Sequence, residues 1–317
     1  RLSRFDQVGP YTFPDKTYND LQPIKTYSAL EPRLFSTILL NPVTSIKLGY
    51  NRNAQYAHLV TNSASTLPTD VWVASSTAVK PQIGHQWSIG WFKSLDNGYW
   101  NVSVETFYKI LLNQIDYKET YTSNQSVELE EAFVFGKGAA YGAELFLQKQ
   151  KGSLTGWLGY TYTRSWRSFK DIEGGRKYPA SFEKPHDLEL VLNYELSKKW
   201  NFGSTFVYGT GKPFTPLRSV YYIDQALVTR YGPRNSARYQ DYHRMDLAAN
   251  FTPRPNSTKK FKSTWAFSIY NVYNRKNPFF INYDLDSDLA TGRVKATAYK
   301  ISLFPVIPSV TWNFKWN

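Results

Sequence analysis

The chain of 317 residues has no cysteine, one methionine and only four histidines. Without cysteine there is no disulfide framework, no thiolate zinc site and no thiol nucleophile. His58, His85, His186 and His243 are isolated in sequence, and no HExxH pair is present, so no metal site and no cofactor are expected. There is no GxSxG elbow. Gly136-Lys137-Gly138 is too short a signal for a phosphate loop, and no helical pattern follows it. No apolar run approaches the ~18 residues of a membrane helix, and mean hydropathy is −0.48. Amphipathic helical periodicity is missing from every segment of useful length. The start, Arg1-Leu2-Ser3-Arg4-Phe5, has no apolar stretch of the signal-peptide kind. Either a signal has been removed or the chain begins inside a longer protein.

Aromatics are plentiful: 24 Tyr, 20 Phe and 10 Trp, or 17% of residues, which argues against disorder. Thirty-eight Lys and Arg against 25 Asp and Glu leave a formal charge of +13. A basic surplus alone would permit a nucleic-acid partner. Lys198, Lys199, Arg254, Lys259 and Lys260 read as scattered through turns rather than as a stripe, so none is expected.

Strict two-residue alternation fills most of the sequence. In 186–196, Leu188, Leu190, Leu192, Tyr194 and Leu196 share one face, with Asp187, Glu189, Val191, Asn193 and Glu195 on the other. In 200–208 the even positions are Trp200, Phe202, Ser204, Phe206 and Tyr208. The stretch 261–269 sets Phe261, Trp265, Phe267 and Ile269 against Lys262, Thr264, Ala266 and Ser268. Near the end, Val310, Trp312, Phe314 and Trp316 alternate with polar residues. This is the signature of strands with two unlike faces.

Eleven main strands are predicted near 30–40, 44–55, 85–95, 99–114, 138–150, 153–168, 186–197, 199–210, 240–252, 260–274 and 297–316. Pro305 and Pro308 interrupt the last. Short links (41–44, 95–98, 149–153, 197–199 and 253–259) alternate without exception with long ones (56–84, 115–137, 169–185, 211–239 and 275–296). Tight turns at one end and long loops at the other are the build of an outer-membrane barrel. A soluble sandwich or lipocalin has no reason to keep that rhythm.

In such a barrel the apolar face meets lipid and the polar face lines the lumen. The residues expected to face the lumen or a plug are Glu105, Lys109, Glu144, Asp187, Glu189, Arg244, Asp246 and Lys262. The bland alternative is that they are merely solvated lumen groups. Trp200, Trp312 and Trp316 suit an aromatic girdle.

Single-chain bacterial barrels have an even strand number and both chain ends on the periplasmic side. With the last strand running inward to Asn317, the strand near Leu30 also runs inward and begins outside. Residues before it are expected to form an external loop, and Arg1–Phe5 the tail of an earlier outward strand. An odd count with an external start does not close. The expectation is that 1–317 is the C-terminal part of a larger barrel.

These stretches together resemble a TonB-dependent outer-membrane receptor. They include Ala29-Leu30-Glu31-Pro32-Arg33-Leu34, Pro68-Thr69-Asp70-Val71-Trp72, Gly136-Lys137-Gly138-Ala139-Ala140-Tyr141-Gly142-Ala143-Glu144-Leu145 and Gly156-Trp157-Leu158-Gly159-Tyr160-Thr161. Pro185-His186-Asp187-Leu188, Arg244-Met245-Asp246-Leu247, Tyr270-Asn271-Val272-Tyr273-Asn274 and the terminal Pro308–Lys315 follow in order. The likeness is to the Bacteroidota type, whose members often carry a carboxypeptidase-regulatory-like domain before the plug. It departs from many outer-membrane barrels in ending Trp316-Asn317 rather than on an aromatic.

The resemblance implies an all-β, antiparallel transmembrane barrel of 22 strands, about eleven of them here, around a plug that lies outside this chain. It implies a non-enzymatic transporter of the Gram-negative outer membrane. A ligand would bind external loops and plug, and the TonB complex would act through the N-terminal part. Outer-membrane lipid, lipopolysaccharide and a surface lipoprotein are the further partners to expect. Trp72, Tyr221, Tyr222, Arg230, Tyr231 and Arg234 are the loop residues marked for ligand or partner contact; their bland alternative is loop packing. Two rival functions fit the same fold: a scaffold subunit of an outer-membrane complex and, less well supported, a barrel hydrolase. The ligand itself is not legible.

Overall fold

The computed structural model describes residues 1–13, 16–60, 71–118, 132–255, 260–288 and 290–316. Positions 61–70, most of the 115–137 link and 256–259 of the last short turn thus lie outside the described residues. Eleven strands form one continuous antiparallel meander. They are β1 (Arg33–Asn41), β2 (Thr44–Gln55), β3 (Gln82–Leu95), β4 (Trp100–Tyr117), β5 (Phe133–Lys149) and β6 (Leu154–Phe169). Then follow β7 (His186–Glu195), β8 (Trp200–Gly209), β9 (Tyr242–Phe251), β10 (Phe261–Tyr270) and β11 (Ile307–Trp316). The two-residue strand Tyr178–Pro179 adds to the outer end of β6. The sheet is not closed. Among the described residues, β1 pairs only with β2 and β11 only with β10.

Every short link lies at one end of the sheet and every long link at the other, as the turn rhythm predicts. The β3–β4 turn uses Asp96, Asn97 and Gly98, all at positive φ, where Asn, Asp and Gly are the residues that fit. Neighbouring turns are stitched together. Ser94 N–H donates to Val43 O, Gln150 N–H to Tyr99 O and Thr252 N–H to Lys199 O.

The register fixes the faces, because residues directly opposite on neighbouring strands point the same way. One row runs Lys47, Gly90, Glu105, Glu144, Thr161 and Asp187. The next runs Ile46, Trp91, Val104, Leu145, Tyr160 and Leu188, wholly apolar or aromatic. The apolar face is open: Ile89 is 51% and Phe267 41% exposed. Such a face in water would be an aggregation liability; in hydrocarbon it is solvated.

The conventional core therefore sits elsewhere, under the long links. Val60, Val73, Val79, Ile115, Tyr117, Ala132 and Phe133 pack as one cluster, and Val134, Phe169, Ile172 and Tyr178 as another. A bulge at the outer end of β4, with Asn113 at positive φ, resets the strand as it enters that region.

Three expectations need correction. Residues before β1 are not an irregular loop but a hairpin: Leu2–Val8, which includes most of the strand tail expected at Arg1–Phe5, pairs with Pro23–Leu30, and Tyr11–Phe13 with Lys16–Tyr18. The long links also carry structure, with hairpins Ala57–Val60/Val71–Ala74, Leu217–Ile223/Ala226–Tyr231 and Pro278–Asp288/Arg293–Ser302. Last, the strand predicted over 297–316 is two. Residues 293–302 belong to the outer hairpin, and β11 begins at Ile307 after Phe304 at positive φ and Pro305, which has no N–H for a ladder. Pro308 stands opposite Ile269 at the start of β11, where a missing N–H costs a strand least.

Candidate functional site

Two regions hold chemistry: the polar wall of the sheet and the clamp beneath the long links. On the wall, Glu105 and Glu144 stand in direct register. Glu189 is in register with Val207, and Val207 with Arg244. Gly90 leaves the room that Glu105 occupies, since a Cβ there would meet Glu105 Cγ at 2.9 Å. Asp187 is paired with Lys184 at 3.0 Å. Glu105, Glu144 and Glu189 have no ion pair among the described residues. Lys109 lies 4.9 Å from the Phe107 ring centroid, and Lys262 stands opposite Lys315.

Arg244 is the best anchored of these. Its Nε donates to Asp246 at 3.0 Å, Nη1 donates to the Tyr242 and Tyr270 hydroxyls, and its guanidinium lies over the Tyr270 ring. Asp246 in turn accepts the Asn271 N–H at 2.8 Å. All eight wall residues singled out from the sequence thus share the polar face, but they do not form one cluster.

Two clefts open on this face. One, of 410 Å³, is lined by Thr161, Thr163, Phe182, Lys184, Asp187 and Glu189. The other, of 240 Å³, is rich in amides, including Asn51, Asn53, Gln82, Gln86 and Gln114. At its outer edge Gln114 donates to Gln82, and Gln82 meets Nδ1 of the fully buried His58 at 3.0 Å. His58 Nε2 reaches Ser75 Oγ at 3.1 Å. Burial holds the His58 imidazole below its ordinary pKa.

The clamp escaped sequence reasoning. Asp116, at the outer end of β4, accepts from Arg234 Nη2 at 2.6 Å and has Arg167 at 3.9 Å. The Tyr178 hydroxyl points at the same carboxylate at 3.4 Å, and burial, reinforced by Asp116, pushes this phenol's pKa up. Glu183, whose side chain is 1% exposed, accepts from Arg164 Nε at 2.9 Å and from the Ser165 N–H, and bonds Arg238. Asn235 Nδ2 donates to Pro179 O, and Arg234 N–H to Glu173. Two buried carboxylates therefore tie the 211–239 segment onto β4 and β6. Sequence carried no signal for these pairs, which join residues 118 and 55 positions apart.

The loop residues divide accordingly. Trp72 (69% exposed) projects from the β2–β3 link. Tyr221, Arg230 and Tyr231 are exposed on the β8–β9 hairpin, with Tyr222 half-buried on its other face. Arg234 is committed to Asp116, so its guanidinium serves loop packing. Trp72 and the Tyr/Arg group sit on different hairpins.

Residues 1–274 match the family described as TonB dependent receptor-like, beta-barrel. Among solved structures, the ferripyoverdine receptor of the Pseudomonas aeruginosa outer membrane is 16% identical, with a TM-score of 0.55 over 92% of this chain and 34% of that one. The ferric-catecholate import receptor Fiu from K12 E. coli is 12% identical, with a TM-score of 0.58 over 94% and 37%. The outer-membrane transporter YddB from Escherichia coli is 11% identical, with a TM-score of 0.54 over 91% and 40%. No curated protein sequence matches. The chain spans about a third of the length of the solved structures it matches.

Proposed function

Because this chain belongs to the TonB dependent receptor-like β-barrel family, we propose that it is the C-terminal half of a 22-stranded barrel that imports a ligand across the outer membrane. The family and its structural neighbours are Gram-negative outer-membrane transporters and receptors rather than enzymes. The observation that carries the proposal is the meander itself. Eleven strands alternate short and long links without a lapse, put apolar side chains on one face and polar ones on the other, and leave both edges unpaired among the described residues.

The edge of β1 supports the same reading. Leu2 pairs with Leu30, and Glu31 N–H donates to Arg1 O at 2.8 Å. Residues preceding Arg1 in that register would run down beside β1. The missing strands would close the barrel, and a plug preceding them would fill a lumen of this size. Glu105, Glu144 and Glu189, without ion pairs among the described residues, offer such a plug a carboxylate surface for basic residues, with contacts that can break and reform when TonB pulls. Arg244, Asp246, Lys109, Lys262 and Asp187 line the same wall.

Trp72, Tyr221, Tyr222, Arg230 and Tyr231 are assigned to ligand, lipopolysaccharide or a surface lipoprotein at the outer side. The finer family type is assigned to the Bacteroidota branch, with a carboxypeptidase-regulatory-like domain ahead of the plug. The neighbours named for ferric chelates carry only the fold to this chain, so no ligand is assigned. Radiolabelled-ligand uptake in cells with and without TonB tests the proposal. Uptake should vanish without TonB or without proton-motive force; uptake that persists overturns it.

A further inference from the structure

The basic residues that read as scattered in sequence are gathered by the fold. In the turns 42–43, 96–99, 150–153, 196–199 and 252–260, the described charged residues are Lys151, Lys198, Lys199, Arg254 and Lys260 against Asp96 alone. None of these takes part in an ion pair among the described residues. The opposite end of the sheet differs. There, charges of both signs pair with one another, as Glu183 does with Arg164 and Arg238.

Two further lysines lie on the apolar face just above the turns. Lys93 is in register with Val102, and Lys149 with Trp100. Both are half-buried. Lys149 Nζ stands 5.7 Å from the Tyr99 ring centroid and 5.8 Å from that of Trp100, with no carboxylate paired to it among the described residues. A lysine on a lipid-facing surface runs its stem along apolar neighbours and carries its ammonium to the interface. On the same strand, Trp100 to Tyr108 spans roughly 20 Å of membrane normal at about 3.4 Å per residue and ~40° tilt. Both aromatics lie on the apolar face, and Lys93 and Lys149 belong to its turn-side end beside Trp100.

We propose that this edge binds the phosphate headgroup of an anionic glycerophospholipid in the periplasmic leaflet, with Lys93 and Lys149 flanking Trp100 and the turn lysines supplying the surrounding field. Charge complementarity selects the occupant: a cationic rim without carboxylate partners among the described residues, placed at headgroup depth by an aromatic girdle, matches an anionic lipid surface. The inference rests on the outer-membrane reading, with the short turns toward the periplasm.

The test uses the full-length parent protein, folded in mild detergent and mixed with micelles containing phosphatidylglycerol or phosphatidylethanolamine. Native mass spectrometry counts the retained lipid. The unmodified protein should retain at least about fivefold more phosphatidylglycerol, and K93Q/K149Q should bring the ratio to near one. K93R/K149R should keep the preference, as should K262Q/K315Q on the polar face. Equal retention of both lipids by the unmodified protein overturns the proposal. So does a K93Q/K149Q variant that keeps its lipid preference but loses binding to a polyglutamate peptide, an outcome that assigns the rim to an acidic polypeptide. Should K93Q/K149Q not fold, raising NaCl from about 0.05 to about 0.5 M must lower phosphatidylglycerol retention by the unmodified protein; an unchanged value overturns it. An inverted barrel is recognised separately, by labelling of Lys198→Cys from outside intact cells.

Discussion

Glu105 on β4 stands directly across from Glu144 on β5, and neither has a cation within salt-bridge distance among the described residues. Like charges directly opposite on neighbouring strands are destabilising, by about 0.2–1 kcal/mol. A wall that keeps such a pair gains little for itself and offers much to a basic surface set against it. E105Q should raise the barrel's midpoint in urea slightly while weakening retention of the plug, read as increased passive antibiotic entry into cells. An unchanged barrel and an unchanged permeability would refute the role given to this pair.

The two faces of β7 should respond oppositely to the same residue. Leu190 is in register with Leu158 and Phe206 on the apolar face, and Glu189 with Gly159 and Val207 on the polar one. L190R should cost about 2–4 kcal/mol if Leu190 lies near mid-membrane, and E189R far less. Equilibrium unfolding from lipid vesicles measures both. Equal costs would contradict the face assignment.

Topology is open to direct chemistry. Asp224 sits at positive φ at the tip of the β8–β9 hairpin, and Lys198 in the β7–β8 turn. Residues 1–317 contribute no cysteine; in a parent protein freed of any other cysteine, Asp224→Cys should react with a membrane-impermeant maleimide on intact cells, and Lys198→Cys should react only after lysis. The reverse pattern inverts the barrel.

The clamp should matter locally. Glu183→Ala takes the carboxylate from Arg164, Arg238 and the Ser165 N–H, leaving Arg238 only backbone carbonyls such as Gly211 O. Losing one partner of a fully buried pair costs about 3–5 kcal/mol. Both arginines keep partial solvent access, so a loss nearer 1–3 kcal/mol is expected. It should show as faster proteolysis within 211–239, with the heat-modifiable barrel band on gels unchanged. If proteolysis stays at the unmodified rate, the clamp does not hold that segment.

His58 gives a pH dependence with a definite sign. Burial depresses its folded pKa below the ordinary value of 6.5. Its contribution to stability is therefore complete above about 6.5, where both states are neutral, and falls as pH drops from there through the folded pKa. Hydrogen exchange in Ala57–Val60 and Val71–Ala74 should accelerate on acidification below about 6.5, and H58Q should flatten that trend. Exchange that is independent of pH after correction for intrinsic rates would exclude it.

Much of the architecture was legible because alternation, turn length and composition are local. Leu188, Leu190 and Leu192 declare one face of β7 and Asp187 and Glu189 the other, with no need to know their neighbours. The link lengths then order the strands, since tight turns force antiparallel neighbours. Less visible were the hairpins inside the long links, whose strands pair away from the main sheet, and the early stop forced by Pro305 on what reads as one terminal strand.

The candidate site was legible only in part. Glu105, Glu144 and Arg244 could be placed on the polar face from parity alone. Arg234 reads as an exposed loop cation, yet it is held by Asp116, 118 positions away. No periodicity reports a partner at that distance.

The sequence by itself thus determined the eleven strands of the main sheet, the two faces and the two unlike ends, because each follows from residues within a few positions of one another. Only the tertiary structure decided which charges are paired and which stand alone. Folding the meander brings acids and arginines together beneath the long links, where burial demands partners. It strands the lysines of the short turns on one rim, where the water and headgroups of an interface serve in their place.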